Sequence, residues 1–180
     1  NLKLHIDGAR IFNATTALNI SLADLIQNVD SVTFCLSKGL ACPIGSIVCG
    51  SEDFIYSARR MRKVLGGGMR QAGIIAAAGL IAINQIETQI SEDHNNAQLL
   101  AEGLNKIDGL YIEQNKVKTN IIYFKLQSDT VSSKQLLQEM QNTGILFFEV
   151  SSNKYRLVTH YGIIKSDIMF ILKAFQKVLS

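Results

Sequence analysis

The first 36 residues alternate strand, helix and strand, and that alternation constrains the fold more than any other feature. Residues 2–6 alternate apolar and polar side chains and run into Asp7-Gly8, a strand entering a turn. Residues 18–26 carry apolar positions at helical spacing behind Ser21-Leu22-Ala23-Asp24, and residues 31–36 read as a second short apolar strand. Two strands joined through a helix lie parallel, and an open sheet of this kind collects its functional groups outside the carboxyl ends of its strands. Two reactive side chains fall at such ends. Asp7 follows the first strand, and Lys38 follows the second within Leu36-Ser37-Lys38-Gly39-Leu40.

Further along, Pro43-Ile44-Gly45 holds the chain's single proline and leads into a strand at residues 46–49 closed by Gly50, which implies a hairpin-like return. Ser51-Glu52-Asp53 sets a cap and two acids at the head of a helix whose last turns hold Arg59, Arg60, Arg62 and Lys63, the charge order a helix dipole favours. Gly66-Gly67-Gly68 ends it. From Met69 a long helical pattern runs through Ile74, Ile75, Ala78, Ile81 and Ala82, with a break expected near Ser91-Glu92-Asp93 before Leu99, Leu100 and Leu104. Strands are then expected at 110–112, 120–126, 145–150 and 155–159, with a helix at 132–142 stopped by Gly144. A closing helix places Ile168, Ile171, Leu172, Phe175, Val178 and Leu179 on one face behind Ser166-Asp167. The pattern predicts an α/β fold in two pieces, residues 1–90 and 91–180, joined by the long helix.

At 180 residues, with 47% hydrophobic and 18% charged side chains, the chain is long enough for one sizeable core or two small ones. The net charge of +3 is modest and, outside Arg59-Arg60-Met61-Arg62-Lys63, the basic residues are scattered. Nucleic acid is therefore not an expected partner, whereas a small molecule bearing phosphate or carboxylate fits. The longest apolar run, residues 72–83, falls short of the roughly 20 residues a membrane span needs, so no membrane is expected. Cys35, Cys42 and Cys49 are odd in number, form no CxxC pair and stand apart from any histidine cluster. They argue against a disulfide framework or a zinc site, and for a reducing cytoplasm.

A lysine on a glycine-flanked turn, with an aspartate on a second strand end, is the minimal kit of a pyridoxal phosphate (PLP) enzyme. The amine condenses with the cofactor's aldehyde, and the carboxylate keeps the pyridine nitrogen protonated. Taken singly, Asp7 before Gly8 is an ordinary turn former and Lys38 an ordinary surface lysine. Their joint placement, with Arg10 three residues after Asp7 and Ser37 just before Lys38, favours the functional reading. Ser37 is a candidate donor to a cofactor phosphate. The triple glycine can expose backbone amides to an anion, but it lacks the spacing and trailing Ser or Thr of a P-loop, and a flexible turn is the plainer reading. His5, His94 and His160 qualify as bases by residue type alone. The expected roles are structural for His5 and His94, and support of Arg156 for His160.

Five runs in order, His5 to Ala14, Leu36 to Leu40, Arg62 to Gln71, Glu92-Asp93-His94 and Arg156-Leu157-Val158-Thr159-His160, closely resemble the low-specificity L-threonine aldolases of the PLP-dependent β-eliminating lyase group. The likeness covers essentially the whole chain. It implies the fold type I architecture of PLP enzymes, with residues 1–90 as the later part of the large PLP-binding domain, built on a parallel-type sheet, and 91–180 as the small C-terminal domain. It implies retro-aldol cleavage of L-threonine or L-allo-threonine to glycine and acetaldehyde, in a homo-oligomer, dimer or tetramer. By the same resemblance Lys38 would hold the cofactor as an imine, Asp7 would pair with the pyridinium nitrogen, and Arg10 and Arg156 would hold the substrate carboxylate. Lys63 becomes a substrate-site candidate and Arg70 a cofactor-site candidate, within reach of the phosphate or of a neighbouring subunit's site.

Full-length members carry, ahead of the aspartate block, a phosphate cradle and two histidines that this sequence lacks, and the chain starts at Asn1 in mid-fold. The expectation is a carboxyl-terminal half that is weakly active or inactive alone. Competing readings are another PLP-dependent β-eliminating lyase, a serine hydroxymethyl transfer on the same scaffold, or a non-catalytic association remnant.

Overall fold

A computed structural model of the chain describes residues 2–180, apart from the side chains of Ile86 and Glu87. The chain divides into two compact units, Asn1–Ile90 and Ser91–Ser180.

In the first unit, β1 (His5–Asp7) pairs parallel with β2 (Ser31–Cys35), and β2 pairs antiparallel with β3 (Ser46–Gly50). The sheet is thus mixed. Its parallel character is confined to β1 and β2, and β3 makes the hairpin-like return predicted from Pro43-Ile44-Gly45. The helix expected over 18–26 is the shorter α2 (Leu22–Ile26), and a helix not expected from the sequence, α1 (Ile11–Leu18), precedes it. Asn19 in the left-handed region (φ 54°) closes α1, and the Ser21 hydroxyl caps α2 by accepting from the Asp24 N–H at 3.0 Å. Asn, Thr and Thr in the middle of α1 are weak helix formers. Burial of Ile11, Asn13 and Thr15 holds the segment helical where local propensity does not.

The core of this unit gathers Ile11, Val32, Phe34, Leu36, Leu40 and Cys42, with Phe12 edge-on to Phe34 at 5.2 Å. Helix α3 (Glu52–Val64) is capped by Ser51 and carries Glu52 and Asp53 in its first turn and Arg62 and Lys63 in its last. It ends on Gly66, which adopts φ +80°. There the Gly66 N–H donates to the Lys63 carbonyl at 3.2 Å and the Gly67 N–H to the Arg62 carbonyl at 2.8 Å. This paired closure is the glycine stop that satisfies a helix's last carbonyls. Two of the three glycine amides are thereby consumed, and the run is a helix terminator and not an anion cradle.

Helix α4 (Gly73–Leu104) begins four residues later than Met69, and the break or bend expected near Ser91-Glu92-Asp93 falls a few residues earlier, between its Gly73–Gln85 and Thr88–Leu104 parts. That polar triplet marks the faces of a continuing helix: Ile90 and Asp93 are buried while Ser91 and Glu92 are exposed. No single helix among the described residues is long and apolar enough to cross a membrane.

The second unit holds β4 (Leu110–Tyr111), β5 (Ile121–Leu126), α5 (Ser133–Asn142), β6 (Phe148–Ser151), β7 (Lys154–Val158) and α6 (Lys165–Leu179). The strands form one antiparallel sheet in the order β4-β5-β7-β6. Side chains alternate across it. Ile122, Phe124, Leu126, Tyr155 and Leu157 face a core shared with Leu100, Leu104, Leu136, Met140, Ile168 and Phe175, while Tyr123, Lys125, Lys154 and Arg156 occupy the opposite face. Phe124 stacks on Tyr155 at 4.9 Å and meets Phe175 edge-on at 5.4 Å. Residues 145–147, expected in a strand, precede β6, which is an exposed, irregular edge. A reciprocal cap opens α5: the Ser132 hydroxyl accepts from the Gln135 N–H, and the Gln135 Oε1 accepts from the Ser132 N–H. The buried Thr159 hydroxyl donates to the Asp93 carbonyl at 2.6 Å, and the Asn120 side-chain amide donates to the Thr159 carbonyl at 2.7 Å.

Phe124→Ala opens the centre of this aromatic core and is expected to cost about 3–5 kcal/mol, against about 1 kcal/mol for loss of the cap in Ser132→Ala. Urea denaturation of both variants checks the ranking, and equal midpoints would contradict it.

Candidate active site

β1 and β2 run side by side with Asp7 in register with Thr33, and the Gly8 N–H extends the pairing by donating to the Thr33 carbonyl at 2.8 Å. Asp7 therefore ends β1 beside the end of β2, and Lys38 follows three residues past Cys35. The intervening loop is tied at several points. Leu36 N–H donates to the Gly45 carbonyl, Cys42 N–H to the Leu36 carbonyl and Ala41 N–H to the Lys38 carbonyl, at 2.9, 3.0 and 2.9 Å. Leu36 and Leu40 are buried on either side, so Ser37 and Lys38 are held out to solvent from an anchored loop. Asp7 is exposed as well. An amine, a hydroxyl and a carboxylate thus stand at one end of one parallel strand pair, the place where open α/β sheets bind ligands.

Helix α1 supports this end from below. Arg10 is its N-cap residue and lines a shallow recess with Asn13, Cys35 and Gly39. Gly39 packs so closely on the buried Asn13 that a Cβ there would lie 2.6 Å from the Asn13 Oδ1. The loop that presents Lys38 therefore rests on a helix that propensity alone does not reveal. The Asn in Phe12-Asn13-Ala14 and the glycine after Lys38 were the available signal, a small residue facing a polar one.

Lys63 and Arg70 are exposed, on the end of α3 and the irregular segment beyond it. Among the described residues no hydrogen bond or ion pair joins either to Asp7 or Lys38, and the Lys63 stem lies over Gly68. Arg156 belongs to the second unit, at the centre of β7, opposite Tyr123 of β5 and Phe148 of β6. Its guanidinium carbon sits 5.3 Å from the Phe148 ring centre, within cation–π range. These aromatic neighbours were not singled out from sequence, although the two-residue period of the strands already places Tyr123 on an outward face.

The histidines are each engaged. His5 Nδ1 and the Ser31 hydroxyl lie 2.8 Å apart, and the Nδ1–H of His160 donates to the Tyr161 carbonyl at 2.8 Å. His94 is half-buried, and burial holds its imidazole below the usual histidine range.

Two outcomes follow from this geometry. Gly39→Ala should lower the thermal midpoint, by the equivalent of about 1–3 kcal/mol for a forced close contact, while Gly73→Ala, where a Cβ meets nothing within 4 Å, should not. Because the unfolded chain protonates His94 more readily than the folded one, stability should fall as pH drops through about 6.5. Denaturation curves across pH 5–8 should show this slope flattened in His94→Gln.

The beta-eliminating lyase family matches residues 1–127. The chain is 41% identical over 179 residues to low-specificity L-threonine aldolase 1 of Arabidopsis thaliana, covering 99% of this chain and 50% of that protein. In three dimensions it is similar to a protein of Listeria monocytogenes assigned as an L-allo-threonine aldolase, with a TM-score of 0.77 at 20% identity over 99% of this chain and 52% of that one. It is also similar to SPT, solved with a PLP internal aldimine, with a TM-score of 0.63 at 16% identity over 87% of this chain and 41% of that one. The last two likenesses speak to the fold, which is that of fold type I PLP enzymes. The chain spans about half the length of the curated relatives it matches. With sequence and fold in agreement, the chain belongs to the beta-eliminating lyase family.

Proposed function

We propose that this chain contributes the lysine-bearing half of a PLP-dependent carbon–carbon lyase that cleaves L-threonine or L-allo-threonine to glycine and acetaldehyde. The observation that carries the reading is the placement of Asp7 and Lys38 at the carboxyl ends of adjacent parallel strands, in a chain 41% identical to an L-threonine aldolase. The donor set fits the cofactor: an exposed primary amine for its aldehyde, a carboxylate for its ring nitrogen and a hydroxyl for its phosphate.

Bound PLP supplies the electron sink for breaking the Cα–Cβ bond. The chain's own residues bind and aim. Lys38 Nζ would hold the cofactor through its aldehyde, from a loop fixed by its backbone hydrogen bonds. The Asp7 carboxylate would hold the ring nitrogen and favour its protonated form. Ser37 donates to phosphate, and Arg70 is assigned to the same group. Arg10 and Arg156 receive the substrate carboxylate, with Lys63 as a further cation toward substrate. Guanidinium forks bind carboxylates at two points, which fixes the orientation of the amino acid.

The reaction belongs to threonine breakdown and glycine formation, in a cytoplasmic homo-oligomer that is a dimer or a tetramer. Since the relatives are about twice as long, the 180 residues by themselves are proposed to be weakly active or inactive. Exposed apolar side chains on the first unit, Ile74, Leu80 and Ile81 among them, agree with a surface that further chain covers. The family match also favours a second reading, β-elimination on the same cofactor.

In the full-length protein that contains this sequence, added PLP should give the yellow absorbance of a lysine-bound cofactor, and Lys38→Ala should abolish it. Colour unaffected by that substitution would refute the lysine assignment. Asp7→Asn should lower kcat for threonine by about 10²–10³, the size of losing one preorganised electrostatic partner. Products of threonine, serine and cysteine turnover separate the two reactions, with acetaldehyde and glycine from threonine supporting the aldolase.

A further inference from the structure

Arg156 is a cation that the fold shelters without neutralising. It sits at the centre of β7 on the face of the sheet away from the core, in register with Tyr123 on one side and Phe148 on the other. Its Nε is buried and has no hydrogen-bond partner, and among the described residues no carboxylate pairs with it. The nearest acid along β6, Glu149, is committed elsewhere: its carboxylate accepts from the Ser133 hydroxyl and from the Asn153 N–H. What does touch the guanidinium is the ring of Phe148, 5.3 Å from the guanidinium carbon and itself 60% exposed. Two residues earlier on the same strand, Lys154 lies 5.0 Å from the ring centre of Tyr123 on β5, so the same face holds a second cation by the same means.

An acidic partner would fix the arginine but take up the fork that has to meet a carboxylate. A ring face fixes it and leaves the terminal N–H groups of the fork unpaired. We infer that Phe148 is a positioning residue for the substrate carboxylate, acting through Arg156. The inference rests on the reading of Arg156 as a carboxylate ligand given above, and extends it to a residue that never touches the reacting atoms.

The test uses the full-length holoenzyme, comparing KM for L-threonine with the inhibition constant of L-threoninamide, which lacks the anionic group. Phe148→Leu keeps bulk but removes the ring face. It should raise KM for threonine roughly three- to thirtyfold, the span of a single cation–π contact, with kcat within about twofold and the threoninamide constant unchanged. Phe148→Tyr, which keeps the ring, should restore the threonine value. Equal weakening of threonine and threoninamide by Phe148→Leu, or no change in either, overturns the positioning role. Arg156→Gln separates the two layers. If it narrows the preference for threonine over threoninamide while Phe148→Leu does not, only the role of Phe148 falls. If it leaves that preference intact, the carboxylate assignment falls and the inference with it.

Discussion

The parallel pairing of β1 with β2 is the constraint on which the candidate site depends. Four amide-to-carbonyl links, one between the strand ends and three in the loop after β2, fix the carboxyl ends of both strands, and the candidate groups Asp7, Ser37 and Lys38 are hung from those ends. A slip of one residue would turn Asp7 to the other face of the sheet, since the side-chain period of a strand is two. The register is secured by Val32 and Phe34, buried on one side, and by the close approach of Gly8 to the Thr33 carbonyl. Asp7 and Lys38 need no contact with each other to be placed. They need the same two strand ends.

Much of this was legible in the sequence because it follows from local rules. Strand ends at Asp-Gly and before Lys-Gly, the Ser51 cap, the basic last turn of α3 and the Gly144 stop after α5 are each set by a few neighbouring residues. Two features were not legible, for physical reasons. Helix α1 is stabilised by what Ile11 and Asn13 bury against, a tertiary effect that outweighs the weak propensity of Asn and Thr. At Ser91-Glu92-Asp93 the expected bend is displaced: it falls between Gln85 and Thr88, and the polar triplet lies inside the following helical stretch with Asp93 turned inward. In the site, charged groups were readable one by one, while the neighbours that hold them were not. Asn13 beneath Gly39 and Phe148 beside Arg156 are separated from their partners by 26 and 8 positions, and only folding brings them together.

The triple glycine shows how one motif can suggest chemistry and serve architecture. Its amides point at carbonyls of α3, which places Arg62 and Lys63 at the negative end of a helix, where cations are favoured. A role for Lys63 or Arg70 in binding anions would come from their side chains alone.

The two units differ sharply in what they enclose. The second buries Phe124, Tyr155, Phe175, Leu136, Met140 and Ile168 at 1% exposure or less, whereas the lysine and aspartate of the first stand over a core of six residues. Cohesion and reactivity are therefore lodged in different stretches of the polypeptide. Under mild denaturing stress the sheet of residues 91–180 has the means to outlast the cofactor-anchoring end, so that loss of ligand capacity and loss of secondary structure separate into distinct events along the same unfolding path.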